Sequence, residues 1–162
     1  MRYRFVMLVW LVAAALGGCG KEIGDACIIA TDCSPNGDRV CDPVSNSPGG
    51  YCTIQGCDVT TCPGEAACIR FFSGSFSNKE CNFADPKDAC SRDELCAVNG
   101  HCVARSSETR FCMRTCGDDS DCRDGYECRD LDRMRRHGGE PWLGPGVVVD
   151  ETAPKFCAVA GP

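Results

Sequence analysis

The stretch Cys116-Gly117-Asp118-Asp119-Ser120-Asp121-Cys122-Arg123-Asp124-Gly125-Tyr126-Glu127-Cys128 places five residues on each side of a central cysteine and a turn dipeptide inside the second gap. Asp-Gly favours the positive-φ geometry of tight turns, so Cys122 and Cys128 are predicted to flank a β-hairpin. The same arrangement recurs upstream. Reading from Cys27, sixteen cysteines sort into four successive quartets: Cys27, Cys33, Cys41, Cys52; Cys57, Cys62, Cys68, Cys81; Cys90, Cys96, Cys102, Cys112; and Cys116, Cys122, Cys128, Cys157. First gaps hold five, four, five and five residues, second gaps seven, five, five and five, and third gaps ten, twelve, nine and twenty-eight. Two tight gaps and a loose one, four times over, constitute an internal repeat. Each second gap carries a turn signal: Asn36-Gly37, Pro63-Gly64, Asn99-Gly100 and Asp124-Gly125. Cys96 and Cys102 are likewise predicted to flank a hairpin. An aromatic precedes the last cysteine in three quartets (Tyr51, Phe111, Phe156), with Glu80 the exception in the second.

The expected fold class is therefore small and disulfide-rich: tandem four-cysteine modules with short β-hairpins and little helix. The expected divisions are 27–56, 57–89, 90–115 and 116–162, the last with a long insertion at 129–156. Long apolar segments and helical periodicity are missing, so cross-links must replace much of the burial that an ordinary core would supply.

The N-terminus has Arg2 and Arg4, an apolar run from Phe5 to Leu16, and then small residues, the tripartite layout of a secretory signal over residues 1–18. The run is too short for an assured membrane span. Leu16-Gly17-Gly18-Cys19 resembles the lipobox of bacterial lipoproteins. That resemblance implies cleavage before Cys19, a diacylglyceryl group on its thiol and usually an acyl group on its amine. It also accounts for the odd total of 17 cysteines. In the same family Asp after the lipidated cysteine goes with inner-membrane retention, so Gly20 implies an outer-membrane location in a Gram-negative envelope. Residues 19–26 are expected to be the lipidated cysteine and a short tether, with the membrane as partner through that anchor.

Cleavage leaves 144 residues carrying 15 basic and 23 acidic side chains, formally −8, because Arg2 and Arg4 leave with the leader. Phosphate binding needs clustered Lys and Arg, so nucleic acid is not an expected partner.

Four cysteines allow three pairings, which spacing does not resolve, although tying second to third would add little to a turn already closed. The segment 116–128 is similar to the Cys-x-x-Asp-x-Asp-Cys-x5-Cys stretch of whey-acidic-protein modules, without their adjacent Cys-Cys pair, and its spacing is shared by Dickkopf-type segments. The whole chain resembles cysteine-rich envelope lipoproteins with Dickkopf-like repeats. The resemblance implies interleaved pairing. The expected bridges are Cys27–Cys41, Cys33–Cys52, Cys57–Cys68, Cys62–Cys81, Cys90–Cys102, Cys96–Cys112, Cys116–Cys128 and Cys122–Cys157.

No metal or cofactor is expected. Structural zinc sites place ligand pairs two to four residues apart, and Cys112-x3-Cys116 has no second knuckle to complete it. Asp118, Asp119, Asp121 and Asp124 fail the calcium-loop pattern because Arg123 occupies a ligand position; they read as a solvated loop with Asp121 capping a turn. Neither Gly-x-Ser-x-Gly nor another nucleophile setting occurs around His101 or His137, so the chain is expected not to be an enzyme.

Two segments are candidate binding surfaces for a protein or glycan. Residues 69–76 carry Phe71, Phe72 and Phe76, which form either a contact patch or, on the stronger reading, a small core. The excursion 129–156 carries Arg133, Arg135, Arg136, His137 and Trp142, whose arginines either meet anionic lipid headgroups or an acidic partner, with Trp142 anchoring the interface, or belong to an insertion whose valines add a strand. A protease inhibitor is the alternative, with Arg70 and Arg123 as contact residues. A structural envelope lipoprotein without a ligand is the second.

Overall fold

A computed structural model of the chain describes residues 20–85 and 90–161, so Cys19 lies outside the described residues. The described residues form nine short strands in the order β1 (Val40–Asp42), β2 (Tyr51–Thr53), β3 (Ala66–Phe72), β4 (Glu94–Cys96), β5 (Cys102–Ala104), β6 (Glu108–Arg114), β7 (Tyr126–Arg129), β8 (Glu140–Pro141) and β9 (Phe156–Val159). Among the described residues helix is confined to α1 (Ala30–Cys33), α2 (Leu131–His137) and two single 3-10 turns at Arg105–Ser107 and Asp119–Asp121. β1 pairs with β2, β4 with β5 and β7 with β9, while β6, β3 and β8 form a three-stranded sheet.

One register recurs in all four ladders: Cys41 faces Cys52, Cys68 faces Cys112, Cys96 faces Cys102 and Cys128 faces Cys157. The facing cysteines are not bonded to each other. Each reaches back to a cysteine in the loop before its hairpin, giving Cys27–Cys41 with Cys33–Cys52, Cys57–Cys68 with Cys62–Cys112, Cys81–Cys96 with Cys90–Cys102, and Cys116–Cys128 with Cys122–Cys157. A module is thus two loop cysteines clamped onto two neighbouring strand positions.

This arrangement corrects the tandem division. Cys62 bonds Cys112 and Cys81 bonds Cys96, in place of the expected Cys62–Cys81 and Cys96–Cys112. The reason lies in the strands. β3 and β6 share seven register pairs, from Ala66 opposite Arg114 to Phe72 opposite Glu108, so Cys112 closes the module that Cys57 opens. The module of Cys81, Cys90, Cys96 and Cys102 is inserted within it, and the divisions 57–89 and 90–115 do not hold. The insertion leaves and returns at adjacent positions: Ser73 N donates to the Ser107 carbonyl at 3.1 Å.

Turn chemistry explains the inserted hairpin. Ala97 and Gly100 close a turn, with Gly100 N donating to the Ala97 carbonyl at 2.9 Å, and Gly100 alone takes positive φ (81°). A type I turn followed by a positive-φ glycine is the common three-residue hairpin loop. The hairpin predicted between Cys122 and Cys128 is absent. There Tyr126 N donates to the Arg123 carbonyl at 3.0 Å, a turn that leads into β7, whose partner β9 arrives only after the excursion.

The excursion is part of the core. Asp130 caps α2 by accepting from Arg133 N at 3.0 Å, and Leu131 and Met134, one turn apart, pack with Ile69, Val98, Val149 and Phe156. β8 then joins the edge of β3, where Pro141 requires no ladder donor. The strand that the insertion reading assigns to Val147–Val149 does not form; Val149 is buried and Val147 and Val148 are exposed.

The tether is likewise folded. Ile23 is fully buried with Tyr51, Tyr126 and the Cys57, Cys68 and Cys112 sulfurs, and Gly24 N donates to the Cys52 carbonyl at 2.9 Å.

Candidate functional site

The sequence-distant segments 69–76 and 129–156 meet. Phe71 and Phe72 from the end of β3, Phe76 from the segment after it, and Arg135, Arg136 and His137 from the end of α2 line one open cleft of about 250 Å³, with the Ala97–Asn99 hairpin tip as its third wall. β3 supplies Phe71 and Phe72 to opposite faces because successive strand residues alternate. Phe71 leans on Phe156, ring centroids 6.2 Å apart and nearly perpendicular, and Phe72 meets Phe76 edge-on at 6.4 Å. Both geometries suit the ring quadrupole. Phe71 thus serves the core and the cleft together, and Phe76 is 39% exposed at the rim.

The basic side is set by helix periodicity. Leu131 and Met134 face inward, which turns Arg135 and Arg136 out. Arg135 makes one long contact with Asp132 at 3.4 Å, and Arg136 Nε donates to the Asp132 carbonyl at 3.4 Å. Among the described residues their remaining guanidinium nitrogens carry no hydrogen bond. His137 Nδ1 lies 2.6 Å from Glu127 Oε1. Burial pushes the Glu127 carboxyl up, but the hydrogen bonds from His137 and Arg129 outweigh it and leave it below its ordinary range.

The cleft floor is made by two further residues, Gly139 and Glu140. Gly139 has φ of 77°, and a Cβ there would sit 2.7 Å from Phe71 and 3.0 Å from Phe156, so only glycine fits. Glu140 is fully buried, accepts from Val98 N at 2.6 Å and forms an ion pair with Arg70 across the β3–β8 register. Burial pushes the Glu140 carboxyl up, against the pull of Arg70 and of the Val98 N–H. No residue pattern in the sequence marks Glu140 as internal; its partners lie far away in the chain.

Two predicted binding residues are elsewhere. Arg133 donates to both oxygens of Asp119 and, at 2.9 Å, to the Cys128 carbonyl, fastening α2 to the Asp119–Asp121 turn. Trp142 stacks on Arg110, 4.0 Å from guanidinium to ring centroid, and donates Nε1 to Asp58 at 2.7 Å. Both are engaged in holding the fold.

The residues named for protease inhibition are also engaged. Arg70 lies in β3 with 13% of its side chain exposed, paired with Glu140 and near Phe72 and Trp142. Arg123 lies 4.4 Å from the Tyr126 ring centroid and donates to the Gly50 carbonyl. Arg70 lies within a strand and the Arg123 side chain is held by these contacts, so neither is free to serve as a pseudo-substrate residue.

A second cavity, about 380 Å³, lies between the first module and the central sheet and is lined by Tyr51, Phe71, Phe111, Met113 and Arg129. Arg129 there donates to Glu127 and to the carbonyls of His137, Gly138 and Val159, which leaves its charge internally satisfied. The arginine–aromatic cleft therefore offers the more available chemistry.

Groups of cysteine sulfurs lie within 4.8 Å of one another in each module, Cys81 with Cys90 and Cys96 among them. These sulfurs are joined in disulfides, whereas a metal ligand must be a thiolate. In the acidic loop, Asp121 accepts from Gly117 N at 2.7 Å and Asp118 from Ser120 N at 2.8 Å, so these carboxylates serve turn capping. No serine, threonine or thiol is hydrogen-bonded to a histidine ring among the described residues, and no helix there is long and apolar enough to cross a membrane. The chain forms a small disulfide-rich domain of low helix content without an obvious catalytic constellation among the described residues. Comparison with protein-family models, curated proteins and solved structures finds no match.

Proposed function

We propose that this is a lipid-anchored, non-enzymatic binding protein of a bacterial envelope, held at the outer membrane through Cys19, whose binding surface is the cleft of Phe71, Phe72, Phe76, Arg135 and Arg136. The observation that carries the reading is the convergence of aromatic and arginine side chains from two distant segments on one open cleft, around a floor fixed by Gly139 and Glu140. Arginine and aromatic side chains on a rigid support are the usual anchors of interfaces. The disulfides hold that support without a large core. The partner such a surface fits presents an anionic group on an apolar or sugar face, as a protein or a glycan does.

The test is photo-cross-linking in intact cells from benzoylphenylalanine at Phe76, against the same probe at Val44 in the first module. A discrete adduct from Phe76 that disappears in the Arg135→Ala, Arg136→Ala variant is the expected result. Equal adducts from both probes, or an adduct indifferent to the arginines, would remove the cleft as the binding surface.

A further inference from the structure

Ile28 and Ile29 are 83% and 58% exposed, although Cys27 and Cys33 on either side of them are buried. Their orientation is built in. The N–H groups of Ile28 and Ile29 donate to the Asp32 carboxylate at 2.8 and 3.1 Å, which shapes the loop ahead of α1 so that both aliphatic side chains project. The first described residue, Gly20, lies against the same four-residue helix, at its Cys33 end. Gly20 packs against the α1 backbone, where a Cβ on it would sit 3.4 Å from the Cys33 carbonyl. α1 has four residues, so Ile29 lies roughly 6 Å of helix rise from Cys33. From Lys21 onward the chain is fastened: its carbonyl accepts from Arg39, and Lys21 Nζ donates to the Ala26 carbonyl at 2.7 Å. One peptide link of about 3.8 Å between Cα atoms separates Gly20 from Cys19.

We infer that the Ile28–Ile29 loop is a membrane-contact tip, which enters the interfacial layer of the leaflet that receives the acyl chains on Cys19. The inference rests on the lipid-anchor reading. It follows from geometry: an anchor attached one residue before a folded module, and one short helix of about 6 Å away from two projecting isoleucines, brings those side chains to the same bilayer surface. Aliphatic side chains that reach the boundary between headgroups and acyl chains bind by burying apolar area. The charged residues of the stretch 21–39 are mixed, Lys21 and Arg39 against Glu22, Asp25, Asp32 and Asp38, and both Asp25 and Asp32 are tied to backbone N–H groups. Contact is therefore apolar and needs no anionic lipid.

The test uses the mature acylated protein in phosphatidylcholine vesicles, with Ile28→Trp and Ile29→Trp as reporters, Val148→Trp as control and the wild type as the Trp142 background. Bromine on the lipid chains is expected to quench the added emission of either reporter at least about twofold, within the 5–10 Å depth of an interfacial contact, and to leave the control unchanged. Acylation confirmed by mass with unquenched reporters would overturn the tip and leave the anchor standing. Absence of an acyl group on Cys19 would overturn both. A reporter shift without vesicles, accompanied by dimer in sedimentation, would assign the patch to a second copy of the chain and overturn the inference.

Discussion

Arg123 ties the fourth module to the first: its guanidinium lies 4.4 Å from the Tyr126 centroid and 5.6 Å from that of Tyr51, and it donates to Tyr126 Oη at 2.7 Å and to the Gly50 carbonyl. Each cation–π contact of this kind contributes about 0.5–2 kcal/mol. Asp119 does comparable work between α2 and its own module, and it titrates. Hydrogen bonds from Arg133 and from the Cys128 N–H hold its carboxyl at about 2, below the ordinary 3.8. A depressed folded pKa contributes stability that is present above the unfolded value and lost as pH falls through the folded one. Asp119→Asn should therefore melt lower than wild type at neutral pH, with the two midpoints converging between pH about 4 and about 2. A difference that stayed constant across that range would show that the carboxylate charge is not what matters. Arg133 and Trp142 read in the sequence as exposed binding residues because their partners, Asp119 and Asp58, lie 14 and 84 positions away. Chain distance hides such pairings, and unpaired arginines and tryptophans look alike until the fold supplies a neighbour.

At the scale of elements, the repeating unit is a hairpin with two facing strand cysteines, each bonded to a cysteine in the preceding loop. The loose third gap is where the chain accepts additions: the inserted module within β3–β6, and α2 with β8 within β7–β9. Each bridge closing about 15 residues contributes roughly 3 kcal/mol in the loop-entropy account. Because the insertion is joined to β3 and β6 at Ser73 and Ser107, loss of its own bridge should act locally. In the Cys81→Ala, Cys96→Ala variant, hydrogen exchange at β4 and β5 should accelerate by about 100-fold while the β3–β6 ladder keeps its protection. Equal loss in both ladders would mean that the insertion is not a separate unit. Part of this was legible. The cysteine count, the turn at Asn99-Gly100 and the low helix content all follow from spacing and turn residues. The nesting was signalled by Glu80, which breaks the pattern of an aromatic before the last cysteine, whereas Phe111 before Cys112 keeps it. Similar gap lengths in adjacent units masked that signal, because spacing does not encode which strands pair over a long range.

Over the whole molecule, nesting is what assembles the site. The insertion brings the Ala97–Asn99 tip to the end of β3, and the excursion brings Arg135 and Arg136 to the same place. The sequence identified Phe71, Phe72, Arg135 and Arg136 as candidates, but their meeting depends on strand pairing that no local pattern reports. The most direct test is the disulfide map of the unreduced protein after tryptic digestion. Cleavage at Arg39, Arg70, Lys79, Lys87, Arg92, Arg105, Arg110 and Arg114 separates the cysteines of the middle of the chain. Among the peptides from 22 to 114, nesting predicts two unconnected clusters, one joining 22–39, 40–70 and 111–114, the other joining 80–87, 88–92 and 93–105. A link from 40–70 to 80–87, with 93–105 tied to 111–114, would contradict the nested architecture and restore four modules in tandem.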